Sequence, residues 1–178
     1  MLALDLLEKG LVTDQLVLTV GYDKENLSDP ERLKHYKGEV TVDRYGRKTP
    51  KHAHGTINLN RHTSSAKLLI SAATELFERI SDEALLSRRL NITANHVIHE
   101  GDVSEENELV QLDFFSDFSA DEAKREAEEK SLEREKSRQK AILSIKSRYG
   151  KNAIVKGMNL QEGATAMERN RQIGGHKA

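Results

Sequence analysis

The sequence predicts an α+β fold: a mostly antiparallel sheet with helices on one face, followed by a long C-terminal helix. Three stretches, at about residues 11–23, 54–60 and 85–99, alternate apolar and polar residues with the period of two that half-buried strands show. After the second stretch, three hydroxyl residues and then apolar residues at helical spacing predict a capped helix over 66–80. A capping box and a charged stretch predict the long helix over about 120–149, ended by Gly150.

Each predicted strand has one apolar face and one mostly polar face. The apolar positions are Leu16, Leu18 and Val20, then Ile57 and Leu59, then Leu90, Ile92 and Ala94. The polar positions are Gln15 and Thr19, then Thr56, Asn58 and Asn60, then Arg89, Asn91, Thr93 and Asn95. We expect the apolar faces to pack against the helices and the polar faces to lie on the other side. Because the polar positions include arginine but no acid, this face suits phosphate oxygens.

The remaining elements are shorter. A helix is predicted over Met1–Lys9, ending at Gly10. Residues 24–53 form a long polar connection that is typical of a functional insertion or a mobile loop. Within it, residues 39–44 followed by Tyr45, Gly46 and Arg47 predict a small hairpin.

The composition excludes several classes of protein. Aromatic residues make up 4% and charged residues 32% of the 178 residues, so we expect one modest core and a long solvated segment. No apolar run approaches the roughly 20 residues that span a bilayer, and we expect no membrane partner. The chain has no cysteine, which excludes disulfides and thiolate metal sites and fits a reducing, cytoplasmic compartment.

The net charge of −1 conceals a segregation of charge along the chain. Residues 43–65 carry five Lys or Arg against one acid, residues 101–135 carry thirteen acids against four bases, and residues 136–178 carry ten bases against two acids. Such blocks are usually solvated faces and tails. The basic blocks are also what a polyanionic partner requires.

Several separated motifs resemble one family. GTINLNRHTSS with its apolar helix, VTDQLVLTVGYD, RRLNITAN and the ending GKNAIVKGMNLQEGATAMERNRQIGGHKA occur in this chain. Together they resemble the C-terminal little-finger domain and tail of Y-family DNA polymerases, the error-prone translesion enzymes, in the bacterial branch of the SOS mutagenesis subunit. The resemblance implies a little-finger DNA-binding domain at 1–100, an acidic linker with a clamp-binding peptide at 101–118, and a long charged helix with a basic tail at 119–178.

The resemblance also implies that part of the family's enzyme is not in this chain. The first little-finger strand, most of the first helix and the palm, fingers and thumb are expected upstream of Met1. The palm carries the carboxylates that hold magnesium, so no cofactor is expected in this chain and no phosphodiester bond formation by it alone. The expected partners are primer–template DNA, the bacterial sliding clamp and the N-terminal catalytic core of the polymerase.

The DNA-facing residues follow from the family's use of the open sheet face. On the strands and the turn after the second strand they are Thr19, Thr56, Asn58, Arg61, Arg89, Asn91 and Thr93. From the long connection they are Arg44, Arg47, Lys48 and Lys51. From the residues alone, an ordinary solvated sheet face is the alternative, since Thr and Asn are common on exposed strands.

A second motif lies in the acidic stretch. Gln111, Leu112, Asp113, Phe114 and Phe115 resemble the short bacterial clamp-binding pattern, although Phe114 stands where the pattern usually has Leu. An extended peptide can insert Leu112 and the two Phe rings into a preformed apolar pocket. The alternative is a short strand, or an apolar contact with the long helix.

Two other functions stay open from the sequence. A protein-interaction module could dock partners through this peptide and the long helix without binding DNA. A metal-dependent nuclease could use His52 and His54, but neither this pair nor His96 and His99 has cysteine or clustered carboxylates beside it. Surface histidines, or neighbours of phosphate in the case of His52 and His54, are the simpler interpretation.

Overall fold

The computed structural model describes residues 2–103, 118–173 and 176–177. The helices are α1 Leu2–Glu8, α2 Glu25–Ser28, α3 Pro30–His35, α4 Ala66–Ile80, α5 Phe118–Tyr149 and α6 Ala166–Arg169. The strands are β1 Leu11–Tyr22, β2 Val40–Val42, β3 Lys48–Pro50, β4 Ala53–Thr63, β5 Ser87–Asn95, β6 Ile98–His99, β7 Gln172–Ile173 and β8 His176–Lys177. The predicted α+β class, with a mostly antiparallel sheet and a long C-terminal helix, is confirmed.

The chain divides into two compact units, Met1–Gln111 and Leu112–Ala178. The first contains the main sheet with α1 to α4 and the β2–β3 hairpin. The second contains α5, α6 and the two-stranded β7–β8 ladder. No helix within the described ranges is long and apolar enough to cross a bilayer.

β1 is the central strand of the main sheet. It pairs antiparallel with β4 on one side and with β5 on the other, and β6 pairs with its first residues. Gln15 lies opposite Asn58 on β4 and opposite Asn95 on β5. Residues that are far apart in the sequence therefore form rows across three strands.

The core lies on one face of this sheet. Leu16, Leu18 and Val20 of β1 are 1%, 2% and 0% exposed, as their alternation predicts. Leu69 and Leu76 of α4 pack against them in two adjoining clusters. Burial of each such side chain contributes about 1.5–3 kcal/mol relative to leaving it in water, so this face holds the sheet and the helix together.

The start and the packing of α4 are both encoded locally. The Ser65 hydroxyl accepts a hydrogen bond from the Leu68 N–H at 3.3 Å and caps the helix N-terminus, as predicted. On β4, Gly55 lets the helix approach closely, because a Cβ there would lie 2.8 Å from Ile80 Cγ2 and 3.0 Å from Leu76 Cδ1. The helix therefore packs on a strand position that has room only for glycine.

The apolar face of β5 is only partly covered. Leu90 and Ile92 lie opposite Val20 and Leu18 on the helix side of the sheet, yet they are 54% and 45% exposed. α4 packs on β4 and β1. The expectation that every apolar strand face packs against a helix is therefore only partly met at β5. Alternation correctly predicts the side of the sheet on which Leu90 and Ile92 lie, but not whether a helix covers them.

The long connection between β1 and β4 is more ordered than its composition predicts. It contains α2 and α3, and α3 begins with Asp29 as N-cap and Pro30 in its first turn. Asn26 is fully buried and its amide bonds the backbone of Asp23 and Leu86 at 2.8–3.0 Å. These bonds fix the connection to the start of β5.

The predicted hairpin in this connection is confirmed. β2 pairs with β3, and Gly46 in the turn has φ +76°. The Asp43 carboxylate accepts hydrogen bonds from the backbone N–H groups of Tyr45 and Arg47 at 2.8 and 2.9 Å. One carboxylate therefore organises the turn.

In the second unit, α5 extends over Phe118–Tyr149 and ends at Gly150, which has φ +91°. The segment after it folds into short turns and α6. The Asn152 amide donates to the Met167 carbonyl at 3.1 Å and accepts from Asn170 Nδ2 at 2.7 Å. Two asparagines thus hold this segment against α6.

Candidate nucleic-acid interface

The sheet face opposite the core is open and polar. Three rows cross it in the order β4, β1, β5: His54, Thr19 and Asn91; Thr56, Val17 and Thr93; Asn58, Gln15 and Asn95. A fourth row is formed by Gly21 and Arg89. The face thus carries hydroxyl, amide and guanidinium groups, the kinds of side chain that contact phosphate and sugar.

Three amides form a ladder across the third row. Asn95 Nδ2 donates to Gln15 Oε1 at 2.9 Å, and Gln15 Nε2 donates to Asn58 Oδ1 at 2.8 Å. β4, β1 and β5 each contribute one of the three amides. Because these bonds restrict the rotamers, part of the entropy cost of ordering the amides against a ligand is already met in the free protein.

Two further hydrogen bonds organise the face. Thr19 Oγ1 lies 2.9 Å from His54 Nδ1, and Arg89 Nε donates to Asn91 Oδ1 at 3.1 Å. The Arg89 bond uses Nε, so its two terminal nitrogens stay free of partners among the described residues. Through these two terminal nitrogens Arg89 can bind a phosphate in the bidentate manner that is typical of arginine.

No acidic residue occupies any of these row positions. Thr56, Asn58, Arg89, Asn91 and Thr93 are all exposed. An anion approaching the face therefore meets hydrogen-bond donors and one arginine without a facing carboxylate. The fixed positive charge is small, so hydrogen bonds are the larger part of what this face offers.

Arg61, one of the predicted DNA contacts, lies in an irregular part of the β1–β4 ladder. Between the pairs Gln15–Asn58 and Thr13–Thr63 the β1–β4 register shifts, and Arg61 lies within this irregular stretch. It is half-buried, unlike the exposed Asn58. A bulge disrupts the alternation on which face assignments depend, so Arg61 does not belong to the rows of the open face.

The four cations predicted from the connection differ in their pairing. Arg47 Nη2 lies 2.6 Å from Asp43 Oδ2, and Lys51 Nζ lies 2.7 Å from Glu39 Oε2. The hydrogen bond from Arg47 lowers the pKa of Asp43, and that from Lys51 lowers the pKa of Glu39. Both cations are therefore partly neutralised within the hairpin region.

The other two cations, Arg44 and Lys48, are exposed in the hairpin turn and in β3. Neither has an ion-pair partner among the described residues. They are the better candidates for phosphate contact from this segment, because no neighbouring carboxylate competes for them.

The structure adds three residues to the predicted set. Gln15 and Asn95 form the amide ladder, and His54 bonds Thr19. All three share the parity of the predicted residues on their own strands, and the alternation places Gln15 and Asn95 on the polar face. The row in which Gln15 joins Asn58 to Asn95 depends on the strand register, which the alternation does not contain.

The predicted clamp-binding residues 111–115 lie outside the described residues. Within the described ranges, no group of three or more His, Asp or Glu is arranged to hold a metal ion. His54 is engaged with Thr19, and His96 Nδ1 lies 3.0 Å from Asp14 Oδ1. Each of these two histidines therefore lies within hydrogen-bond distance of a β1 side chain.

No protein-family model, no curated protein and no solved structure matches this chain significantly.

Proposed function

We propose that this chain is the non-catalytic DNA-binding and clamp-tethering portion of a Y-family DNA polymerase that acts in translesion synthesis and DNA repair. The observation that supports the proposal best is the acid-free open face built by β4, β1 and β5, with its amide ladder and Arg89. The choice of family is supported by the separated sequence motifs that resemble Y-family DNA polymerases.

In this proposal the open face lies along the sugar-phosphate backbone of a primer–template duplex. Hydroxyl and amide groups contact phosphate and sugar oxygens without reading base edges, so binding does not depend on sequence. This property suits a polymerase that must hold damaged templates. Nucleotidyl transfer and its magnesium ions belong to the catalytic core of the polymerase.

Fluorescence anisotropy with a labelled primer–template duplex tests the DNA-binding part. We expect binding at low salt that weakens as salt rises, because each neutralised phosphate releases its counterion. Two duplexes of unrelated sequence should bind equally. A folded sample that does not bind at low salt, or that binds only one duplex, contradicts the proposal.

Clamp tethering depends on the peptide at 111–115. We expect the purified chain to retain a bacterial sliding clamp in a pull-down, and the double change Phe114→Ala and Phe115→Ala to abolish retention. Leu109→Ala with Val110→Ala is the matched control, since it removes two neighbouring apolar side chains outside the pattern. Equal retention by both double variants contradicts a role of this peptide.

A further inference from the structure

A groove on the first unit lies between the short helices and the small hairpin of the long connection. It has a volume of about 670 Å³ and an aliphatic lining from Leu27, Leu33, Val40 and Val42. Leu33, Val40 and Val42 are 48%, 44% and 64% exposed. Val40 and Val42 have the same parity on β2, so both side chains lie on one side of the hairpin.

This aliphatic lining is not explained by the sheet core. The two buried clusters that hold the sheet and α4 together do not include Leu27, Leu33, Val40 or Val42. Nor does DNA binding account for it, since phosphate and sugar contacts use polar groups and single-stranded bases stack on aromatic rings. An aliphatic concave surface is instead the kind of site that accepts apolar side chains of a polypeptide.

The charged residues of the groove are all basic. Lys24, Arg47 and Lys48 line it together with the aliphatic residues, and no acid lines it. Arg47 is paired with Asp43. Lys24 and Lys48 form no salt bridge within the described part of the chain, so the groove offers two ammonium groups beside an aliphatic floor.

From this combination we propose that the groove binds an acidic polypeptide segment of a partner protein. Its apolar side chains occupy the floor formed by Leu33, Val40 and Val42, and its Asp or Glu carboxylates meet Lys24 and Lys48. Opposite charge on the rim speeds encounter and selects the partner, while the desolvated apolar contacts supply most of the affinity.

The groove overlaps the proposed DNA contacts only in part. Lys48 and Arg47 stand among the candidate DNA contacts, whereas Lys24, Leu33 and Val42 do not. Changes at Lys24 and Val42 therefore report on the groove, while Arg89 reports on the sheet face.

The test uses the full chain and a short fluorescein-labelled peptide rich in glutamate and leucine, followed by anisotropy. We expect the peptide to bind, and Val42→Ser and Lys24→Glu each to weaken binding about tenfold. A peptide with lysine in place of every glutamate should bind at least about tenfold more weakly. Both substitutions alter exposed side chains, so circular dichroism should show an unchanged fold.

Two matched controls test whether the effects are local. Ile70→Ser removes an apolar side chain of α4 that is 53% exposed, and Lys9→Glu reverses an exposed lysine, both outside the groove. Neither should change peptide binding by more than about twofold. Absence of peptide binding would overturn the proposal, and so would equal binding by the unchanged chain and by Val42→Ser or Lys24→Glu.

Discussion

Gln15 on the central strand donates from Nε2 to Asn58 Oδ1 on β4 at 2.8 Å, and the same Gln15 accepts from Asn95 on β5 at 2.9 Å. A polar ladder thus crosses the sheet on the side away from the core. On that side the other row positions carry Thr, Asn, His and Arg beside Val17 and Gly21. The proposal of a nucleic-acid interface depends on this face being available to an anion.

Asn58→Asp places a carboxylate on this face with almost no change of shape. The oxygens of the new carboxylate can still accept the hydrogen bond from Gln15, so we expect the free energy of unfolding to change by less than about 0.5 kcal/mol. The affinity for duplex DNA should fall about fivefold at low salt, because the new charge repels phosphate. Urea unfolding and anisotropy measure the two quantities, and unchanged DNA affinity in a folded variant would place the DNA elsewhere.

Gly55→Ala tests how tightly α4 packs on the sheet. The added methyl group would lie 2.8 Å from Ile80 Cγ2, so the Ile80 side chain or the helix must shift. We expect a loss of about 1–3 kcal/mol in the free energy of unfolding, the range for an overpacked core. Gly101→Ala is the control, since no atom lies within 4 Å of its added Cβ. Equal stability of the two variants would show that the close approach is not a constraint.

Asp23 gives the first unit a stability that depends on pH. Its carboxylate accepts from the Glu25 N–H at 3.0 Å and lies 2.9 Å from Arg88 Nη1, and these contacts lower its pKa. A lowered pKa contributes stability that is fully present above the unfolded aspartate pKa of about 3.9, and that is lost as the pH falls through the folded value.

Asp23→Asn should therefore destabilise the protein by about 0.5 kcal/mol at pH 7 and by much less near pH 2. Urea unfolding at the two pH values measures the difference. Asp5→Asn, at an exposed position of α1, serves as the control and should show little difference at either pH. A destabilisation by Asp23→Asn that is the same at both pH values would exclude the charge of Asp23 as its cause.

Much of the fold could be predicted from local patterns. The alternation of Leu16, Leu18 and Val20 identifies the core face of β1, since side chains of a strand alternate between faces. The hydroxyl of Ser65 and the apolar spacing after it locate the start of α4. Gly150 marks the end of α5, because its φ of +91° favours glycine.

Other features depend on distant contacts. Nothing in the alternation of a single strand says that β1 lies between β4 and β5, so the amide ladder could not be predicted. The shift in register near Arg61 is likewise a property of the pair of strands. The start of α3, by contrast, could have been predicted. Asp29 followed by Pro30 is a helix N-terminal signal within the long polar connection.

The adjacent residues Arg88 and Arg89 allow the most direct measurement of the central claim. Arg89 lies opposite Gly21 on the open face, whereas Arg88 is paired with Asp23. Duplex DNA affinity should be measured by anisotropy at low salt for Arg89→Gln and for Arg88→Gln. We expect Arg89→Gln to weaken binding about five- to tenfold with a shallower salt dependence, and Arg88→Gln to change binding less than about twofold. Equal affinities of the two variants, or a larger loss for Arg88→Gln, would contradict the account.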